Sequence, residues 1–390
     1  MPDNRTRVAV VGGELPRDPR YLQIASADVD LSVHRRAGTE PRDAGRATGL
    51  RVRDHQLVAD LGRGHLAYWY RSLHDALDRD RPDVVHVISE PWGLLAVQAA
   101  RWVRANRPTK LVMHGCDTLW HHGGRAKQAL RRAILGYTTP TIDAWLAESG
   151  KALAVARANG LREDCLRLRI HTNPRDETAF RPVDDGARAA SRARLAIQED
   201  CLVVGLLGRL VPEKGVDLLL DAADVLRADG FPIHLLIAGD GPLRELVRSR
   251  TGATTTYLGT LPHPDGVLSF FAALDVLACP SLTTPNWEDQ GPRSVLEGMM
   301  CGCVPVATPT GALPEMLDGH GVLAESTDVF ALANALRSSA AMARTPEQRL
   351  GLAQWAGAQY SATAVAKRLV DLWGELVRTA DGPLPVPESA

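Results

Sequence analysis

Short runs of apolar residues recur along the whole chain, and segments with helical spacing follow most of them. These runs lie at 7–13, 82–89, 110–115 and 143–149 in the first half, and at 201–208, 233–238, 255–259, 275–279 and 303–308 in the second. Apolar runs without polar alternation are typical of parallel strands that helices cover on both faces. The pattern therefore predicts an α/β fold built from doubly wound parallel sheets.

The pattern stops once and then restarts, which predicts two domains. A chain of 390 residues is also too long for one ordinary domain. Small and polar residues fill the interruption that begins near Pro182. We predict an N-terminal domain over 1–183, a linker over 184–196, a second domain over 197–360, a C-terminal helix over 361–380 that packs back on the first domain, and a tail over 381–390.

The composition is that of a globular enzyme, with 45% hydrophobic and 23% charged residues. A net charge of −1 gives no general argument for binding nucleic acid. The apolar runs are too short to span a membrane, and the chain enters its first strand without a signal peptide, so we expect a cytoplasmic protein. The six cysteines are expected to be free thiols, several of them buried.

The stretch from Pro280 to Pro309 carries two carboxylates between two predicted strands. Asp289 lies on a polar loop, and Glu297 lies on a short helix predicted to begin near Pro292 and to end at Gly302. Free N–H groups and the helix dipole favour an anion at such a helix start. Ionised carboxylates act only as acceptors and suit ligand hydroxyl groups. The stretch therefore indicates a sugar-nucleotide site.

A second candidate site lies at the loop after the strand that ends at Gly208. Arg209 and Lys214 flank this loop, and a predicted helix begins at Gly215. A planar guanidinium and an ammonium group next to a helix start suit a diphosphate, although a solvated surface loop is the alternative interpretation. The spacing matches neither the Walker motif nor the dinucleotide fingerprint, which argues against a simple NTPase or dehydrogenase.

Several motifs of the second half combine into a specific pattern. They are Gly208-Arg209 with Glu213-Lys214-Gly215, 237–243, 257–259, 275–281 and 297–307. In order and spacing they resemble the retaining glycosyltransferases of family four, which have the GT-B fold. The match is thinner in the first half, at 82–92, 113–115, 148–149 and 173–182. The resemblance implies two Rossmann-like domains facing across a cleft and a metal-independent transfer from a nucleoside-diphosphate sugar.

The resemblance also implies roles for donor-side residues. Arg209 and Lys214 would hold the diphosphate and stabilise the leaving group, while Glu297 would accept hydrogen bonds from the ribose diol. Asp289 would contact the hydroxyls of the donor sugar, with Glu288 as the alternative if the loop register shifts by one residue. The other implied donor-binding residues are Gly208, Gly239, Tyr257, Leu261, Gln290, Gly291, Pro292 and Arg293, and the segment 257–263 would line the base pocket.

On the acceptor side, His114 would contact the sugar near the reacting carbon and complete a catalytic set with Arg209, Lys214 and Asp289. The loop after His114 gathers further histidines, but its undefined spacing argues against a metal site. We interpret it as an acceptor loop on which Trp120 could stack. The predicted acceptor-binding residues are Gly13, Glu14, Arg17, Glu90, Trp92, His114, Asp117, Trp120 and His121. The acidic pairs Asp28/Asp30 and Asp78/Asp80 are interpreted as solvated loop residues.

The predicted function is a retaining glycosyltransferase that uses a UDP- or GDP-sugar and a small-molecule acceptor, without a cofactor, metal or nucleic-acid partner. The Ala- and Arg-rich composition suggests a high-GC genome, in which relatives often glycosylate antibiotic-type molecules, so a role in secondary metabolism is expected. One alternative is a lipid-linked or polysaccharide acceptor at a membrane, which the basic segment 124–132 could contact. Others are a sugar-nucleotide epimerase and a non-catalytic sugar-nucleotide-binding protein.

Overall fold

The computed structural model describes residues 5–12, 20–38, 50–60, 68–119, 124–168, 174–198 and 200–378. The chain forms two compact units, of which the first comprises Met1–Pro174 with Ala362–Ala390 and the second comprises Arg175–Ser361. Each unit contains its own parallel sheet with helices on both faces. The predicted fold class, two doubly wound α/β domains, is confirmed.

Each of the predicted apolar runs contains a strand, and the described residues form further strands elsewhere. Up to Leu168 the helices and strands are β1 (Arg7–Gly12), α1 (Arg20–Ala25), β2 (Asp30–Arg36), β3 (Arg51–His55), β4 (Leu57–Asp60), β5 (Tyr68–Tyr70), α2 (Leu73–Asp80), β6 (Val84–Ile88), α3 (Leu94–Ala105), β7 (Lys110–Gly115), α4 (Arg125–Thr138), β8 (Ala144–Ala147), α5 (Gly150–Ala158) and β9 (Leu166–Leu168). From Asp185 they are α6 (Asp185–Arg194), β10 (Leu202–Leu207), α7 (Val216–Ala228), β11 (Ile233–Ala238), α8 (Arg244–Ser249), β12 (Thr255–Gly259), α9 (Asp265–Ala273), β13 (Val276–Cys279), α10 (Arg293–Met300), β14 (Val304–Ala307), α11 (Leu313–Leu317), β15 (Val322–Leu323), α12 (Val329–Arg344), α13 (Pro346–Tyr360) and α14 (Ala362–Arg378).

The sheet of the first unit has seven strands in the order β3-β2-β1-β6-β7-β8-β9. Alternate residues of β1 belong to different cores, because successive side chains point to opposite faces of a strand. Val8 and Val10 pack in the core that contains α1 and α14. Ala9 and Val11 pack in the core that contains α2, α3 and α5. The first unit is thus completed by α14, the last helix among the described residues.

The sheet of the second unit has six strands in the order β12-β11-β10-β13-β14-β15. The strands at its centre are mostly apolar and almost entirely buried, as a parallel sheet covered on both faces requires. The strand order reverses at β10, which pairs in parallel with both β11 and β13. Loops that follow β10 and β13 therefore lie together at the carboxyl edge, where open α/β sheets bind ligands.

The structure differs from the predicted linker, because most of 184–196 forms helix α6. The side chain of Asp184 caps this helix by accepting a hydrogen bond from Ala187 N at 2.8 Å. Arg188 and Arg192 reach from α6 to the buried carboxylate of Asp275, the latter at 2.6 Å. Because ion pairs rather than an apolar stripe hold this helix in place, its sequence is polar. A polar sequence of small residues is also typical of a linker, which explains the wrong prediction. The two units divide before Arg175, earlier than the predicted boundary at 183.

The interpretation of Asp78 and Asp80 as loop residues is wrong, and the Asp80 side chain is also not solvated, whereas Asp78 is exposed as predicted. Both lie in α2, where Asp78 accepts a hydrogen bond from the Trp102 indole at 2.8 Å. Asp80 is buried between Arg53 and His34. Burial would raise the pKa of Asp80, but hydrogen bonds from His34 and Arg53 outweigh it and hold the pKa well below its usual value. Asp80 therefore links α2 to β2 and β3, and Asp78 links α2 to α3.

None of the helices within the described ranges is long and apolar enough to cross a membrane. All six cysteines are free, and five of them are buried.

Candidate active site

Most of the predicted donor-side residues of the second unit lie in two loops at the carboxyl edge of its sheet. The first loop follows β10 and contains Gly208, Arg209 and a short 3-10 turn, Pro212–Lys214. The second loop follows β13 and leads to α10, which begins at Arg293 after the extended residue Pro292. Because β10 and β13 are neighbours in the sheet, the two loops meet.

The centre of this meeting point is an ion pair between Lys214 and Asp289. Lys214 Nζ donates to Asp289 Oδ2 at 2.5 Å, and Ser281 Oγ donates to the same oxygen at 2.6 Å. The Asp289 side chain is only 6% exposed. Lys214 Nζ also lies 5.2 Å from the centre of the Trp287 ring. The structure thus places Asp289 as the counterion that orients Lys214, a role that the sequence analysis did not assign to it.

Two glycines allow the loop backbones to approach this ion pair. Gly311 has a φ of +55°, and a Cβ atom there would lie 1.8 Å from the carbonyl oxygen of Asp289. That carbonyl accepts a hydrogen bond from Ala312 N at 2.8 Å. Gly215 has a φ of +62°, and a Cβ atom there would lie 1.9 Å from Pro280 O. Only glycine fits both positions, because each combines positive φ with contact to a backbone atom.

Arg209 differs from Lys214 in having no partner within the described ranges. Its side chain is exposed, and in the part of the chain that the structure describes its guanidinium makes no hydrogen bond or ion pair. The adjacent backbone is fixed by Gly239, where a Cβ atom would lie 1.7 Å from Gly208 O. Tyr257 Oη donates to Gly239 O at 2.9 Å. A rigid backbone therefore carries a cation that is available to a ligand.

Glu297 projects from α10 into a second buried ion pair. Its Oε1 atom lies 3.1 Å from a guanidinium nitrogen of Arg175 and 3.5 Å from His263 Nε2. The hydrogen bond to Glu297 raises the pKa of His263 above its ordinary value. The sequence analysis missed Arg175 and His263 as partners of Glu297. The only available signal was a basic residue within the segment 173–182, which by itself indicates nothing.

The remaining donor-side residues lie near these ion pairs. Glu288 and Asp289 are both buried, and Lys214 pairs with Asp289. Gly291 has a φ of +129°, which turns the chain towards the start of α10. Leu261 packs half-buried against the core of the second unit. The loop before α10 thus contains Glu288, Asp289, Gln290, Gly291 and Pro292, and it ends where α10 begins at Arg293.

In the first unit, Glu90 lies at the carboxyl end of β6. Its Oε1 accepts hydrogen bonds from Cys116 N at 2.9 Å and from Asp117 N at 3.0 Å. Burial and the nearby charge of Asp117 raise the pKa of Glu90 to about 8. Gly115 makes this packing feasible, because a Cβ atom there would lie 2.6 Å from Glu90 Oε2. Glu90 therefore changes its protonation state within reach of neutral pH.

His114 ends β7 at the same edge of the first sheet. Its Nε2 lies 3.3 Å from Glu148 Oε1, while its Nδ1 is buried without a partner among the described residues. Trp92 has one ring face covered by the Arg131 guanidinium at 3.8 Å. The structure thus brings His114, Glu90, Asp117 and Trp92 to one edge of one sheet. Gly13, Glu14, Arg17, Trp120 and His121 lie outside the described residues.

Comparison with known families covers both halves of the chain. The family described as "Glycosyltransferase Family 4" matches residues 20–168, and the family described as "Glycosyl transferases group 1" matches residues 201–341. Within the described ranges, no group of three or more His, Cys, Asp or Glu side chains could hold a metal ion.

Two curated relatives match most of the chain. A D-inositol 3-phosphate glycosyltransferase of Corynebacterium urealyticum is 32% identical over 343 residues, which is 83% of this chain and 73% of the relative. A GDP-mannose-dependent alpha-(1-6)-phosphatidylinositol monomannoside mannosyltransferase of Mycobacterium tuberculosis is 28% identical and covers 84% of both chains. Among solved structures, Anabaena HepE in complex with UDP has a TM-score of 0.70 at 18% identity, covering 95% of this chain and 100% of that one. The chain therefore belongs to the family-four glycosyltransferases, and it has their GT-B fold.

Proposed function

We propose that this glycosyltransferase takes a sugar from a nucleoside-diphosphate sugar and transfers it, with retention, to a hydroxyl group of a small acceptor. The observation that carries the donor assignment is the contrast between Lys214, fixed by Asp289 at 2.5 Å, and Arg209 in the same loop, which has no partner among the described residues. Together they offer one oriented and one available cation to a diphosphate. A relative named for GDP-mannose and a fold relative solved with UDP support this donor class.

The proposed chemistry needs no protein nucleophile. The bond between the anomeric carbon and the leaving phosphate oxygen breaks, and the bond to the acceptor oxygen forms on the same face of the sugar. The acceptor proton passes to the leaving phosphate oxygen, so atoms and charges balance. Arg209 and Lys214 would stabilise the charge that develops on the diphosphate, a task that fixed cations perform without a metal. His114 and Asp289 keep their predicted contacts with the donor sugar as part of this proposal.

For the acceptor, we propose a small hydroxylated molecule that binds at the carboxyl edge of the first unit's sheet. Glu90 supports this assignment, because a carboxyl group with a pKa near 8 can donate or accept a hydrogen bond to a neutral hydroxyl. The relative named for D-inositol 3-phosphate fits this class of acceptor. The role in secondary metabolism stays a prediction.

A second candidate is a lipid-linked acceptor. Helix α4 carries an exposed leucine, Leu130 (63% exposed), among the exposed basic residues Arg125, Lys127 and Arg132. A basic helix with an apolar contact point can bind the surface of anionic membranes. The phosphatidylinositol mannoside named for one relative belongs to this class.

The test is an assay of nucleotide release. The purified chain is incubated with UDP-glucose, UDP-N-acetylglucosamine or GDP-mannose, with acceptors that include inositol phosphates, free polyols and phosphatidylinositol in vesicles. We expect release that depends on the acceptor and a product that keeps the anomeric configuration of the donor, measured by NMR. An inverted product would contradict retention. Nucleotide binding without turnover would indicate a binding protein, and an epimerised donor without acceptor would indicate an epimerase.

A further inference from the structure

Arg175 is the first residue of the second unit, at the point where the chain leaves the first. Its backbone N donates to Tyr360 O at 2.7 Å, and it forms a parallel bridge with Ser361, the last residue of the same unit. Two chain segments therefore fix the backbone of Arg175. A side chain that starts from such a fixed position can hold its partner with little loss of conformational entropy.

The side chain of Arg175 points to the carboxylate of Glu297. The two side chains are 3% and 5% exposed, and the guanidinium nitrogen lies 3.1 Å from Glu297 Oε1. Because both side chains are buried, removal of the guanidinium would take away the nearest charged partner of the carboxylate. Arg175 therefore holds the Glu297 carboxylate in position, and a carboxylate acts as a hydrogen-bond acceptor.

The contacts of Glu297 are unevenly divided between its two oxygen atoms. Arg175 and His263, at 3.1 Å and 3.5 Å, both approach Oε1. Across the described part of the chain, no residue bonds to Oε2. Two partners on one oxygen fix the rotation of the carboxylate and leave the other oxygen available as an acceptor.

We propose that Arg175 is a positioning residue for nucleotide binding, which holds Glu297 so that Oε2 accepts hydrogen bonds from the 2′- and 3′-hydroxyls of the donor's ribose. This inference rests on the proposed nucleoside-diphosphate sugar donor and adds a residue to its site. Arg175 does not touch the ligand. It acts by fixing the orientation of the residue that does, so its removal should affect ligands only through their ribose hydroxyls.

The test compares two ligands and two proteins. Dissociation constants are measured by calorimetry for GDP, UDP and ADP, and then for the 2′,3′-dideoxy form of the diphosphate that binds best. We expect the wild type to bind the ribose form about 10- to 100-fold more tightly than the dideoxy form. Arg175→Met should lose roughly that factor for the ribose form and change the affinity of the dideoxy form less than about 3-fold.

Two further variants separate positioning from folding. Arg175→Lys keeps a buried cation and should recover part of the preference for ribose. Arg181→Met is the matched control, because Arg181 lies exposed in the same segment, and it should bind both ligands as the wild type does. Circular dichroism establishes that each variant is folded.

Three results would overturn the inference. If Arg175→Met weakened the ribose and dideoxy forms equally, Arg175 would have only a structural role. If the wild type bound both forms equally, Glu297 would not contact the diol, although the proposed donor class would stand. If the wild type bound none of the three diphosphates, the proposed donor itself would be wrong, and the inference would fail with it.

Discussion

The buried acidic groups at the carboxyl edges of the two sheets have different kinds of partner. In the second unit, Asp289 and Glu297 each pair with a cation, Lys214 and Arg175, so these groups form fixed charges. In the first unit, the partners of Glu90 are backbone N–H groups, and its pKa is raised to about 8. Fixed charges suit an anionic ligand, while a group that titrates near neutral pH suits a ligand with neutral hydroxyls.

The histidines of the first unit extend this difference. His86 lies in β6 with both ring nitrogens buried and without partners among the described residues. Burial and the nearby charge of His114 lower its pKa to about 3, so the ring is neutral at physiological pH. In the second unit, His263 lies beside Glu297, and its pKa is raised instead. The same residue type is thus neutral on one sheet and pushed towards its charged form on the other.

The largest effect is expected when the ion pair between Lys214 and Asp289 in the second unit is broken. Lys214→Met should lower kcat by about 10²- to 10³-fold, because a cation at the diphosphate is lost. It should also reduce the free energy of unfolding by about 3 kcal/mol, since Asp289 stays buried at 6% exposure without its counterion. Steady-state kinetics and urea unfolding measure the two effects. Arg209→Ala is the control, with a similar loss of kcat but unchanged stability, because Arg209 has no partner among the residues that the structure describes. Equal destabilisation by both variants would contradict the assignment of Asp289 as a counterion.

A smaller effect is expected when the backbone around Asp289 is displaced. Gly311→Ala places a Cβ atom 1.8 Å from Asp289 O, so the loop must move and kcat/KM should fall roughly 10- to 100-fold. Gly319→Ala is matched in backbone conformation, with a φ of +79°, but no atom lies within 4 Å of the added carbon. It should lose stability through backbone strain and keep its activity. Equal kcat/KM for the two variants would show that the position of Asp289 does not matter.

The raised pKa of Glu90 in the first unit is tested by the pH dependence of the free energy of unfolding. A carboxyl group with a raised pKa contributes stability below its unfolded-state pKa and loses it as the pH rises to about 8. The wild type should therefore lose stability between about pH 5 and pH 8, by up to about 1.4 kcal/mol per pH unit from this group. Glu90→Gln should have a flatter profile, because the amide that replaces the carboxyl group does not titrate. The amide oxygen can still accept a hydrogen bond from Cys116 N, so the local packing is kept. Glu245→Gln, an exposed control, should follow the wild type. An unchanged slope for Glu90→Gln would contradict the raised pKa.

The smallest effect concerns His263, the titrating group beside the fixed charges. Its raised pKa means that its attraction to Glu297 is present at low pH and is lost as the pH rises through that pKa. His263→Gln should therefore destabilise the protein at about pH 5.5 and have no effect at about pH 8.5. The size should stay below about 1 kcal/mol, because the imidazole is 43% exposed. Thermal unfolding across this pH range measures it, and a loss that grows with pH would contradict the assignment.

The strands could be predicted from the sequence because each carries its own signal. A run such as Leu202–Leu207 is apolar along its whole length, and this local property survives in any context. Helix α10 was likewise predicted close to its observed bounds, from Pro292 before it and Gly302 after it. Local patterns of this kind are independent of the rest of the chain.

The pairings that define the site could not be predicted, because their partners are far apart in the sequence. Arg175 and Glu297 are separated by 122 residues, and Lys214 and Asp289 by 75. Helix α6 was missed for the same reason, since Arg192 reaches Asp275 across 83 residues. The residue types of the proposed donor site can therefore be read from local motifs, but the sequence does not show which charged residue pairs with which.

The place of α14 in the first unit has a consequence for how the protein is made. One face of that unit's sheet is covered by Leu369, Trp373 and other residues of this last helix, while every residue of the second unit precedes it in the chain. Multidomain chains generally fold from the amino terminus during synthesis. Here the ribosome completes the second unit before the first, whose core stays open until residues 362–378 emerge from the exit tunnel. A chain arrested before α14 would expose apolar sheet surface and should depend on chaperones, with its second unit already native.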